Sequence, residues 1–166
     1  MIMEEAVIIK LPEAVKMVLN VDKIGYIPLA VHKELDDFME AVHNNKTYKA
    51  IGEDIEKKAK DLTEDFNKEF VKFSQEYDAT KKEAEDKMKA LGKEASELTD
   101  EEAEEFKPMY DRMKELIKQF DDKKEEARKE LADYKAKVLE ENKDVKIFNM
   151  GKSSYNILYP KIINVA

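Results

Sequence analysis

Between residues 51 and 95 the apolar positions fall at Ile51, Ile55, Ala59, Leu62, Phe66, Phe70, Phe73, Tyr77, Ala84, Met88 and Ala95. Intervals of four, four and three place them on one face of a long helix. An eleven-residue period is about 3.67 residues per turn, which predicts a face running straight or slightly right-handed. Lys81 and Gly92 interrupt the stripe, and Gly92 stands where a helix end takes its glycine. A second helix then opens at Thr99, with Thr99 as its cap and Glu102, three residues later, reaching back. Its stripe, Phe106, Tyr110, Met113, Ile117, Phe120, Lys124, Ala127, Leu131, Tyr134 and Val138, alternates four and three like a heptad seam. Pro108 falls early in that pattern and predicts a kink or a separate short helix at the tip. Two such helices on a short link must be antiparallel neighbours, bending between Ala90 and Asp100, each roughly 60 Å long at the ordinary helical rise.

The chain ends read differently. Ala6-Val7-Ile8-Ile9-Lys10-Leu11 is a β-branched run stopped by Pro12, which predicts a short buried strand, and Pro12-Glu13 suits the first turn of a helix through about Asn20. After a loop around Gly25, Pro28 reopens a helix whose apolar face is Val31, Leu35, Phe38, Met39 and Val42, ending at Asn44-Asn45. Near the other end, Val145–Phe148 and Tyr155–Tyr159 flank turn residues Asn149–Lys152 and predict a β-hairpin, with Pro160 confining the final residues, Ile162, Ile163 and Val165 among them, to an edge or an irregular segment. A lone strand and an isolated hairpin are each marginal, so one small sheet built from both chain ends is the economical outcome. The expected class is therefore α+β, predominantly α: one domain over 1–166, with a β-containing head (1–50 and 144–166) and a coiled-coil-like helical hairpin stalk (51–143).

Composition sharpens this picture. Charged residues are 41% of the chain and apolar ones 42%, with only 4 Gly and 4 Pro, as in long amphipathic helices. A net charge of -8 argues against nucleic acid or an anionic membrane as the main partner, since both reward basic patches. With no Cys there is no disulfide framework and no thiolate site, and no segment approaches the length of a membrane span. The start, Met1-Ile2-Met3-Glu4-Glu5, has no leader pattern, so a cytoplasmic location is expected.

Candidate chemistry is sparse. His32, Asp36, Glu40 and His43 share a helix face, and Glu40 with His43 makes half of a di-iron motif; without a second half the better reading is a solvated polar face. Gly151-Lys152-Ser153 echoes the end of a phosphate loop but lacks the upstream glycine. Serines 74, 96, 153 and 154 have no histidine near them in sequence, and the stalk acids are balanced by Lys at helical distances. No catalytic residue, cofactor or metal is expected. Phe66, Phe70, Phe73 and Tyr77 read as core. Met109, Leu116 and Leu139 fall off the main stripe, and Met109 with Leu116, seven residues apart, are the candidates for a partner-binding edge.

Ile9-Lys10-Leu11-Pro12-Glu13-Ala14, Ile27-Pro28-Leu29-Ala30 and Ile157-Leu158-Tyr159-Pro160-Lys161-Ile162-Ile163, in this layout, resemble small tailed-bacteriophage proteins of unknown function, with the likeness carried mainly by the chain ends. The resemblance implies a phage origin and a structural or accessory role in the particle, its assembly or host takeover. The expected function is thus non-enzymatic docking, in a virion or its assembly, to other proteins of the assembly or to further copies of the chain. An acidic inhibitor of a host protein and an assembly chaperone are the alternatives.

Overall fold

The computed structural model describes residues 5–165; the first four residues and the last residue of the expected head lie outside them. The chain forms strand β1 (Ala6–Lys10), helices α1 (Leu11–Leu19), α2 (Leu29–Asn44), α3 (Lys46–Leu91) and α4 (Asp100–Glu141), strand β2 (Lys146–Gly151) and helix α5 (Lys152–Leu158), which runs into a wide π-type turn at Tyr159–Ile163. It divides into two compact units, one of residues 1–57 and 133–166, the other of residues 58–132. The mostly helical class, the long helix pair and the small sheet from the two chain ends are all present.

In the first unit β1 and β2 pair antiparallel, with Val7 opposite Met150 and Ile9 opposite Phe148. Alternation sends Val7, Ile9, Phe148 and Met150 toward one face, where they meet Phe38 and Leu35 of α2 and Leu158 and Ile162 beyond them. Phe148 stands edge-on to Phe38 with ring centres 5.8 Å apart. The register slips after Ile9, so that Lys10 pairs with Lys146 and Ile147 is the extra residue of a bulge. Ile147 packs against both this core and a second cluster around Leu11, Ile51 and Val138. Leu139, off the expected stripe, is also part of that second cluster.

Two expectations for this unit are corrected. Tyr155–Tyr159 is not the second strand of a hairpin but belongs to α5 and the turn after it, while β2 continues through the supposed turn residues to Gly151. Ser154, Leu158 and Ile162 are all buried and four residues apart, a helical spacing that the β-like composition of the segment obscures. Pro160 is accommodated because the turn widens: Asn164 N–H donates to the Tyr159 carbonyl, five residues back, at 2.6 Å. The boundary after α2 is tighter than expected, since Asn45 accepts the Tyr48 N–H at 2.9 Å on its side-chain oxygen and caps α3 at once.

In the second unit α3 and α4 lie side by side, and cross-helix partners rise in number on one helix as they fall on the other: Lys58 with Glu130, Glu76 with Arg112, Lys87 with Glu105. The bend lies where the sequence places it. Gly92, at φ +62°, donates its N–H to the carbonyls of Met88 and Lys89 and closes α3. Thr99 and Glu102 form the reciprocal cap of α4, each side chain accepting the other's backbone N–H at 3.1 Å. Lys93 holds the Glu102 carboxylate at 2.7 Å, and these bonds lower its pKa from 4.5 to about 2. Pro108 neither splits off a tip helix nor ends α4, which runs unbroken from Asp100. Pro108 has no N–H for the carbonyl four residues back, and one residue along from that position Lys87 donates to the Glu105 carbonyl at 3.3 Å.

The bend can be tested by two measurements. Gly92→Ala meets no steric obstacle but must adopt a left-handed backbone, so it should lower stability in a denaturant titration by about 1 kcal/mol; an unchanged midpoint would contradict the C-cap. For Glu102 the folded pKa lies below the unfolded one, so its cap contributes fully above pH 4.5 and is lost as the pH falls toward 2. The Glu102 carboxyl carbon should titrate by NMR with a midpoint near 2, and a midpoint near 4.5 would show the cap to be open in solution.

Candidate functional site

The seam of the hairpin is decided by helical phase. On α3 the inward positions include Leu62, Phe66, Phe73, Tyr77 and Ala84, largely as the eleven-residue period predicts. On α4 they are Phe106, Met109, Met113, Leu116 and Phe120, then Ala127, Leu131, Tyr134 and Val138. Phe120 is the centre of the second unit, with ring centres 4.9 Å from Phe66, 4.8 Å from Phe73 and 5.7 Å from Phe70. Toward the bend, Phe106 and Met109 close over Ala84, and Lys87 lies 5.4 Å above the Phe106 ring.

This phase overturns the sequence-based partner edge. Met109 and Leu116 are 7% and 4% exposed and belong to the seam, whereas Tyr110 and Ile117, expected in the core, are 50% and 42% exposed. The cause is drift. An α-helix of ordinary pitch falls about 20° behind a seven-residue repeat in each heptad, so roughly 90° accumulates between Phe106 and Val138, nearly the 100° between neighbouring residues. The ladder Met109, Leu116, Lys123, Glu130 therefore starts inside and rotates out, ending as two ion-pairing residues. The ladder Tyr110, Ile117, Lys124, Leu131, Val138 starts outside and rotates in.

The two flanks of the helix pair consequently differ in chemistry. Lys58, Glu69, Glu76 and Lys87 of α3 recur at eleven, seven and eleven residues, returning to one side of the helix each time. They pair with Glu130, Lys123, Arg112 and Glu105 of α4 in a ladder, Lys58 to Glu130 at 2.9 Å, Arg112 to Glu76 at 3.0 Å and Lys87 to Glu105 at 3.3 Å. Lys123 sits close enough to Glu69 to hold that carboxyl below its usual pKa. The opposite flank carries Phe70 and Tyr77 of α3 beside Tyr110, Met113 and Ile117 of α4, and no ion pair between the two helices is found there among the described residues. Phe70 is 49% exposed. Tyr77, Tyr110, Met113 and Ile117 line one shallow groove along it.

Elsewhere the candidates disperse. His32, Asp36, Glu40 and His43 share an exposed face of α2, with only a 3.5 Å contact between His32 and Asp36, and no group of three or more His, Cys, Asp or Glu among the described residues is placed to hold a metal ion. Helix α5 does follow Gly151, but the Glu34 carboxylate accepts the Gly151 N–H and the Ser154 hydroxyl, so an acid of this chain occupies the place where a phosphate would be cradled. Leu19, Tyr26 and Leu29 are strongly exposed around the α1–α2 connection. No described helix is long and apolar enough to cross a membrane. No family model, characterised protein or solved structure matches the chain.

Proposed function

We propose that this chain is a non-enzymatic protein that works by docking, and that the surface it offers is the apolar flank of residues 58–132. The observation that carries the proposal is the inequality of the two flanks. One is closed by a ladder of cross-helix ion pairs, while the other leaves Phe70, Tyr110 and Ile117 about half in water. Single exposed apolar residues are ordinary on a protein surface, but three large ones on one side of a two-helix layer form a stripe that a further helix would cover. A hairpin layer buries one face by itself and gains most from a second layer. In the setting implied by the resemblance of the chain ends to small phage proteins, the docking partner is a component of a phage particle or of its assembly, and the chain is a structural or accessory piece.

The corrected edge gives the test. Tyr110→Lys with Ile117→Lys should leave helical circular dichroism unchanged and alter stability by less than about 1 kcal/mol, because both side chains are half in water already. In the cells that make the protein, the unaltered chain should sediment with a large assembly and the double variant should remain in the low-mass fractions. A photo-crosslinking residue at 117 should give a discrete adduct, and one at exposed Val71, about 100° further round α3 than Phe70, should give none. Equal sedimentation of the two proteins, or the same adduct from both positions, would contradict docking through this flank.

A further inference from the structure

The two edges of the small sheet differ in how their backbone groups are satisfied. Lys152 N–H donates to the Glu5 carbonyl at 2.9 Å, which fixes the phase of the antiparallel ladder: Val7 and Ile9 turn their backbone groups toward β2, and Ala6 and Ile8 turn theirs away from it. On β2 the matching outward residues are Asn149 and Gly151, and the Gly151 N–H is taken by the Glu34 carboxylate of α2. The outward N–H and C=O groups of Ala6 and Ile8 have no partner among the described residues. Helices α1 and α5, the other neighbours of β1, leave from its two ends: α1 follows Lys10, and α5 begins at Lys152, opposite Glu5. Ala6 is exposed and Ile8 is 43% exposed. The outer side of β1 is thus an open edge, and unpaired donors and acceptors at strand spacing are complementary to another extended backbone.

We propose that this edge pairs with β1 of a second copy of the chain, antiparallel about a two-fold axis at Ile8, to give a four-stranded sheet. In this register β1 is its own complement. Only outward residues can exchange bonds, so Ile8 bonds to Ile8 of the second copy and Ala6 lies opposite its Lys10. Val7 then stands opposite Ile9 of the second copy, which continues the apolar face of the sheet. Charge fixes the direction. Glu5 stands at the start of β1 and Lys10 at its end, so antiparallel copies bring unlike ends together, whereas parallel copies would bring like ends together. A contact of this kind uses the same surface on both copies and closes at two. It concerns the first unit alone and is independent of the flank of residues 58–132.

Sedimentation equilibrium of the full chain over a concentration series should give a dimer. Ile8→Pro removes the outward N–H and leaves the Val7 and Ile9 bonds to β2 in place, and proline is accepted on an edge of this kind. With helical circular dichroism unchanged, it should raise the dimer dissociation constant at least about tenfold, since each dimer loses two hydrogen bonds. Ile8→Lys keeps the N–H but sets like charges on the axis; it should weaken the dimer too, and it decides the matter if the proline variant unfolds. In a chain without cysteine, a short bifunctional thiol reagent should join two copies of Ile8→Cys but not two of Ala6→Cys, which the register holds about 13 Å apart along the strands. Joining at 6 in place of 8 would overturn the register. A monomer at every concentration would overturn the pairing, as would a dimer that the Ile8 variants leave intact; if Ile117→Lys dissociates that dimer, the second copy belongs to the apolar flank instead.

Discussion

Insertion of Phe120 among Phe66, Phe70 and Phe73 is the contact on which the second unit turns. A pair of helices without a third has little core, and the stretch around Phe120 is flanked by lysines and acids that contribute little by burial. Aromatic rings are the largest apolar surfaces available to such a seam, and four of them meeting across it concentrate the adhesion in one place. From that fixed point the pitch of an ordinary helix does the rest: α4 rotates steadily relative to a seven-residue repeat, and residues on either side of Phe120 are carried out of the seam in opposite senses. Toward the bend the rotation turns Tyr110 and Ile117 outward, and in the other direction it turns Lys123 and Glu130 outward.

The ion-pair ladder is then a consequence of phase rather than the source of adhesion. Each of its pairs is largely in water, and exposed pairs of this kind are worth only about 0.2–1 kcal/mol. Their effect is on specificity. An axial slip of α3 against α4 by one turn would set Glu69, Glu76 and Lys87 against the wrong partners while still burying apolar surface, so the ladder selects one register from several that the aromatic seam alone would tolerate. No corresponding ion-pair ladder exists on the other flank among the described residues, where Phe70, Tyr110 and Ile117 are each about half in water. Docking through that flank, as proposed, uses a surface that the hairpin's own register does not need.

Much of this was legible in the residues. Gly92 and the Thr99–Glu102 pair signal the bend because each acts through its own backbone or its nearest neighbours, and local chemistry is readable without a tertiary structure. The phase of α4 was not legible, because Met109 and Tyr110, and again Leu116 and Ile117, are adjacent apolar residues that satisfy the same four-three pattern. One signal was there: a tyrosine keeps a hydroxyl that prefers water, so Tyr110 suits the boundary better than Met109, and whichever of the pair is outside determines its neighbour seven residues on. The segment from Lys152 to Leu158 is deceptive for a different reason. Its tyrosine and isoleucine suit a strand, and what makes it a helix is tertiary, the Glu34 carboxylate of α2 holding Gly151 and Ser154 at its start and buried Leu158 at its end.

The central claim is that α4 presents Tyr110 and Ile117 to water and keeps Met109 and Leu116 in the seam. The chain has no cysteine, so single cysteines at 109, 110, 116 and 117 can be compared directly by their rate of reaction with a small thiol reagent under native conditions, each relative to its rate in denaturant. The account predicts that cysteines at 110 and 117 react within a few-fold of the unfolded rate while those at 109 and 116 are slowed by at least about tenfold, as expected of positions reached only by local opening. Fast reaction at 109 and 116 with protection at 110 and 117 would reverse the phase of the helix and move the docking surface to the other ladder.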